Sequence, residues 1–455
     1  MSTHIRANKP IRTALTLLAA AGSSAGVFAQ QPAPATDTAT VDLHANDPKS
    51  SAEQGQTHIS ETYELEGRAW RVKTRKEALQ ATTFKINPRF FYLDRNKYDG
   101  SESESMAIGG WAGLKTGYFL EHVSFGATGY TSQKLMGDDD KDGALLLGPG
   151  QESYSVLGEL YADIKIVEDL NVYAGRKEFD TPYLNRNDSR MTPNTFEAIA
   201  LQGRVKSGDE KDKSTFKYGF GYFDKIKERN SDDFVSMSKD AGATVERGVY
   251  VLGGNYQKGA LTIGAIDYYS EDIINIAYVE AKFELKIGDS LKPKIGVQFT
   301  DQKSVGDELL KGSFGGQAYG VKGDLPFGPA MFTAGYTYTT GTNMQNPWSG
   351  YPGYTSVQVE DFNRDGEGAI LVRASYECSR IEGLSAYALL VHGMEPDAVG
   401  QFARTEYDFN IQWAPPKDRL KGLSVRLRYA IVDEDNSKSD TLTDLRAIVN
   451  YVLQF

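Results

Sequence analysis

The 455-residue chain has one cysteine, Cys378, so it forms no internal disulfide. It has five histidines. His4 lies in the leader, His44 and His58 precede the first strand candidate, His122 sits at a tight turn, and His392 ends a strand. None stands beside a nucleophile or carboxylate in a catalytic arrangement, so an enzyme is not expected, and neither is a cofactor. Beyond the N-terminus no run of 18 apolar residues occurs, which excludes a membrane-spanning helix. Positive charge is also short. The net charge is −11, which argues against nucleic acid as a partner.

Tyrosine and glycine are plentiful, at 26 and 46 residues, while mean hydropathy is −0.44. The chain is too long for one ordinary soluble core. Aromatic, glycine-rich and polar on average describes a transmembrane barrel, although a large soluble all-β protein has similar composition.

Residues 1–29 read as a secretory signal peptide. Arg6, Lys9 and Arg12 form its positive end, Ala14–Ala21 its apolar core, and Val27-Phe28-Ala29 its cleavage site. Removing it takes the net charge from −11 to −14, because the leader carries those three cations and no acid. Residues 30–60 are rich in Pro, Ala, Thr, Asp and Gln and are expected to be a disordered linker. Residues 61–80, with Arg68, Arg71, Lys73, Arg75 and Lys76, are expected to form a periplasmic extension or plug-like segment.

From residue 81 to 455 the pattern has period two. In the last ten residues Leu453, Tyr451, Val449 and Ala447 make one apolar row, and Arg446 and Asn450 belong to the other. Eighteen strand candidates follow one another, the first near 83–94 and the last at 442–455. Short connections such as Lys258-Gly259 and 325–328 follow even-numbered strands. Long polar ones, at 134–152, 179–196, 225–246, 302–313 and 341–367, follow odd-numbered strands, with 271–272 as a short exception. That alternation predicts an all-β fold: an 18-stranded antiparallel transmembrane β-barrel with short periplasmic turns and long extracellular loops. Eighteen strands leave room for an aqueous lumen, hence a channel. The terminal Phe455 is expected to close the wall at the periplasmic side and to engage the barrel-assembly machinery. Other expected partners are outer-membrane lipid and lipopolysaccharide. The chain is expected to act as a monomer or trimer.

Sorting by parity places Lys85, Arg89, Arg204, Arg373, Arg426, Arg428 and Arg446 on the wet side, because Arg facing lipid at mid-membrane costs ~2–4 kcal/mol. These form a candidate basic path for small anionic or zwitterionic solutes. Glu406 and Asp408 are candidate pore acids. With Glu159, Asp163 and Glu377, they leave open the reading that the cations only neutralise neighbouring acids. At 170–178 either Arg176 or Lys177 points in. If the loop at 179–196 folds inward, Arg186, Asp188 and Arg190 form a constriction.

Three segments resemble the OprD-type porins, substrate-preferring channels of Gram-negative outer membranes. They are Asp188-Ser189-Arg190-Met191-Thr192-Pro193-Asn194-Thr195-Phe196-Glu197, Arg404-Thr405-Glu406-Tyr407-Asp408-Phe409, and Lys421–Tyr429 followed by Asp444–Tyr451. Ala198 stands where that family's pattern has Gly. The resemblance implies an eighteen-stranded channel narrowed by inward loops, lined by a basic ladder, and passing small carboxylates. A non-selective general porin and a plugged surface or adhesion barrel are the alternatives.

Two short motifs, Asp138-Asp139-Asp140-Lys141-Asp142-Gly143 and Asp361-Phe362-Asn363-Arg364-Asp365-Gly366, begin like calcium loops. Pro149 and Val372 stand where the final Glu belongs, so Asp138, Asp140, Asp142, Asp361, Asn363 and Asp365 are weak candidates and no metal is expected.

Overall fold

The structure, a computed structural model, describes residues 75–208, 213–288, 291–416, 420–435 and 441–455. The expected signal peptide, the linker and the extension up to residue 74 lie outside the described residues. Residues Arg75–Gln80 form a short helix. Its Ala78 carbonyl accepts from the Gly117 N–H at 2.9 Å, which ties the helix beneath the first short turn.

Eighteen long strands follow. They are β1 (Thr83–Asn96), β2 (Glu102–Lys115), β3 (Val123–Met136), β4 (Tyr154–Val167), β5 (Leu170–Lys177), β6 (Thr195–Ser207), β7 (Ser214–Lys227), β8 (Val249–Lys258) and β9 (Leu261–Ser270). The second half comprises β10 (Ile274–Glu284), β11 (Lys294–Lys303), β12 (Gly315–Phe327), β13 (Ala330–Thr340), β14 (Gly368–Glu377), β15 (Leu384–Gly393), β16 (Arg404–Trp413), β17 (Leu423–Glu434) and β18 (Leu442–Tyr451). Each pairs antiparallel with its sequence neighbours, and β1 pairs with β18 to close the sheet. Closure leaves no edge strand to satisfy in lipid.

The seam keeps one register. Arg89 lies opposite Asn450 and Ile86 opposite Leu453, so Leu453–Gln454 continues β18. The break at Val452 falls next to Pro88, which has no N–H to donate. Phe455 ends the ladder, exchanging two backbone bonds with Phe84 at 2.9 and 3.1 Å.

Alternation holds along the wall. Ile199, Leu252, Phe220 and Val372 are exposed on its outer surface, whereas Gln202, Tyr268 and Arg373 are buried on the inner one. Bulges at Thr128/Gly129 and Glu197/Ala198 shift the pairing locally. The ambiguity in β5 resolves the same way. Lys177 is buried with its ammonium 4.5 Å from the Tyr161 ring, while Arg176 pairs with Glu197 and lies over Phe234.

The connection at 97–101 is shorter than the alternation predicts. The long ones after β5 and β13 pack inward. Tyr183, of the connection after β5, is fully buried against Tyr268 and Tyr278 of the wall and Tyr351 of the connection after β13, at centroid distances of 6.1, 6.3 and 6.3 Å. An aromatic core therefore fills part of the space inside the barrel, in edge-to-face contacts that favour such rings.

Candidate functional site

Two connections enter the barrel and meet the wall formed by β14–β18 and β1. The first, 178–194, is stiffened by Pro182 and Pro193, by the Thr181 hydroxyl donating to the Leu184 carbonyl at 2.7 Å, and by the Asn194 N–H donating to the Arg186 carbonyl at 2.6 Å. Its Asp188 takes a two-pronged bond from Arg89 of β1, at 2.5 and 3.0 Å. Arg89 also donates to Asn450 and to the Arg190 carbonyl, and its guanidinium lies 4.8 Å from the Trp111 ring. Arg190 donates to the Ala144 carbonyl at 2.8 Å. Arg186 is buried beside Glu178 and Asp180, each at 3.4 Å, so it braces the loop from within.

The second connection, 341–367, lays a strap, residues 357–360, across β16–β18. Glu406 accepts the Val359 and Glu360 N–H groups, both at 2.8 Å. Asp408 accepts the Gln358 N–H at 3.2 Å. The Gln358 amide donates to Asp444 at 2.8 Å, and Arg446 donates to the Gln358 carbonyl at 2.9 Å. The expected pore acids Glu406 and Asp408 thus hold a loop, because exposed backbone N–H groups inside a barrel need acceptors.

The basic residues form two groups. Arg373, Arg426, Arg428 and Arg446 share the inner face of β14, β17 and β18, Arg373 and Arg446 buried and Arg426 and Arg428 half-buried, with Arg428 directly opposite Arg446. Arg426 donates to Asn410 at 2.6 Å and Arg428 to the Tyr387 hydroxyl at 3.3 Å, while Arg373 lies 4.1 Å from the Tyr387 ring. Arg446 is paired with Asp444 at 2.6 Å, as is Arg95 at 2.7 Å. Lys85 and Arg204 lie apart, near the short-turn end. Arg204 pairs there with Asp169 of the β4–β5 turn.

Burial and the nearby charges of Arg446 and Arg229 push the Arg190 guanidinium well below its ordinary range. Burial likewise lowers Arg229, to about 10. Burial and the Glu159 charge raise Glu178 to about 7.

In each of the two calcium-like stretches one carboxylate is occupied, that of Asp142 or Asp361. Asp142 accepts the Gly143 and Gly150 N–H groups at 2.6 and 2.8 Å, and Asp361 accepts from Ser356 and Asn346 at 2.6 and 2.8 Å. Asn363 donates to the Met344 carbonyl. Asp365 donates its N–H to Asn343. Asp138 offers its carbonyl to Lys141, and Asp140 lies in a one-turn helix. Burial raises Asp361 to about 6.

Sequence reasoning missed Arg95, Asp444, Lys227 and Arg229. Parity along β1 and β18 would have placed Arg95 and Asp444. Nothing in the spacing marks Arg229, which lies in a connection and donates to the Ser189 hydroxyl.

The sequence profile of the outer membrane porin, OprD family, matches residues 77–455, most of the chain. The chain belongs to the OprD family of outer-membrane porins. It is thus a channel-forming barrel of the outer membrane, with its long connections extracellular and its turns periplasmic. Among solved structures, this porin resembles Pseudomonas aeruginosa OccK9 (OpdG) at 23% identity and TM-score 0.75, covering 83% of this chain and 100% of that one. Pseudomonas aeruginosa OpdK with vanillate matches at 20% identity and TM-score 0.72, with the same coverage. A BenF-like porin from Pseudomonas fluorescens Pf-5 matches at 18% identity and TM-score 0.73, again covering 83% and 100%. At these identities the likeness shows the fold. No curated protein matches the sequence.

Proposed function

We propose that this porin is a passive diffusion channel for small hydrophilic solutes with a preference for small carboxylates. One observation carries the reading: the hydrogen bonds of Arg426 and Arg428 go to neutral groups, Asn410 and Tyr387, and Arg426 Nη2 and Arg428 Nε have no partner. Guanidinium groups left with donors to spare recognise carboxylate, and a low-dielectric wall strengthens the attraction. Support comes from OpdK, crystallised with vanillate, which bears a carboxylate. The solute path runs past Arg373, Arg426, Arg428 and Arg446 and on toward Lys85 and Arg204. Arg89, Asp188 and Arg190 define its narrow part. Lipopolysaccharide meets the extracellular connections.

Reversal potentials under a salt gradient in planar bilayers test this. The intact porin is expected to favour anions, and Arg426→Ala with Arg428→Ala to abolish the preference. Equal anion and cation permeability in the intact protein, unchanged in the double variant, overturns it and leaves a non-selective porin. Liposome swelling across small carboxylates then identifies the preferred solute.

A further inference from the structure

We propose that Glu406 and Asp408 form a carboxylate clasp that holds the 357–360 strap over the Arg446 face and releases it on acidification. The proposal requires only that the barrel conducts. Three consecutive backbone N–H groups, of Gln358, Val359 and Glu360, are held by these two side chains. The two carboxylates stand two residues apart on one strand, so they share one face. Both are buried, at 0 and 1% exposure. Asp408 Oδ1 is buried with no hydrogen-bond partner. Like charges this close stay ionised together only while donors are supplied, and a proton on either removes an acceptor from the strap.

Three cations and four carboxylates surround the pair. On β16 itself Arg404 pairs with Glu360 and with Glu434 of β17. Arg428 of β17 and Arg446 of β18 face Asp408, and Asp444 of β18 takes Gln358. Asp361 of the strap connection and Tyr98 of the β1–β2 connection complete the set. These cations already have carboxylates or Tyr387 as partners. The strap's backbone N–H groups therefore depend on Glu406 and Asp408, while Arg446 holds the Gln358 carbonyl. Once released, it uncovers Gln358, Asp444 and Arg446, which are otherwise buried, and widens the passage.

The test is single-channel recording of the full chain in planar bilayers between about pH 7 and about pH 4, the range in which carboxyl groups titrate. The wild type is expected to show larger, noisier steps at the acid end. Its open-to-closed ratio should rise roughly 10- to 100-fold, as when a charge-assisted hydrogen bond is lost. Glu406→Gln should show the acid behaviour already at neutral pH and respond little further. Asp408→Asn provides the same reading if Glu406→Gln does not assemble. Glu178→Gln, in the other inward connection, should leave the acid response in place. A wild type without an acid response overturns the proposal. So does a Glu406→Gln or Asp408→Asn channel that matches the wild type at both pH values, or loss of the response in Glu178→Gln.

Discussion

Replacing Asp188 by Ala tests how the first inward connection is held. The carboxylate meets Arg89 through two bonds, and both side chains are almost fully buried. Removing one member of such a pair leaves an uncompensated charge and costs about 3–5 kcal/mol. Arg89 keeps Asn450 and the Trp111 ring, so the lower end of that range applies. A loss of about 3 kcal/mol multiplies the detached population of the connection by roughly 10². Single-channel records should then show frequent brief current excursions absent from the wild type. Arg89→Met alone should act similarly, because it unpins the same connection from the wall side. The double variant should cost less than the sum of the two, since the first change already removes the bond. Quiet traces with wild-type conductance in Asp188→Ala, or strictly additive losses of thermal stability, would refute the pin.

Deleting Phe455 removes two backbone bonds to Phe84 at the seam; outer-membrane yield should fall while the conductance of assembled channels stays near wild type, and unchanged yield counts against this. Burial raises Asp240 to about 7, so its charged form weakens the fold, and that penalty grows as pH rises toward 7 and is absent below its ordinary value. Asp240→Asn should therefore raise stability above pH 7 by at most a few kcal/mol, at about 1.4 kcal/mol per pKa unit, read as a higher melting temperature, with the gain gone near pH 4; a gain independent of pH refutes the assignment. Gly110 has φ +108°, and a Cβ there would meet the Asn87 carbonyl at 1.9 Å. Gly110→Ala should lower the temperature at which the barrel unfolds in detergent, read by heat-modified gel mobility.

Strand number, pairing order and the two faces of the wall were legible because a sheet with lipid outside and polar groups inside must alternate. Arg373, Arg426, Arg428 and Arg446 followed from parity alone. What happens inside the barrel was not legible. Arg89 meets Asp188 from 99 positions away, and Gln358 meets Asp444 from 86. No periodicity links such partners. Parity puts Glu406 and Asp408 on one face of their strand, but their task depends on backbone N–H groups that any loop sequence would offer. The Tyr183 cluster escaped for the same reason: its rings come from two wall strands and two connections.

Pro88 carries a consequence beyond its strand. A closed wall has one join made by residues far apart in sequence, and here that join lacks a hydrogen bond where Pro88 faces Tyr451. The bonds on either side must bridge the gap. Hoop strength is thus uneven around the circumference, and the β1–β18 junction is where the wall yields first. Amide exchange at Tyr451, which faces Pro88, should outpace exchange at the matching depth in β10 and β11, whose ladder is unbroken, while the Val452 N–H stays protected by the Gly422 carbonyl at 2.9 Å.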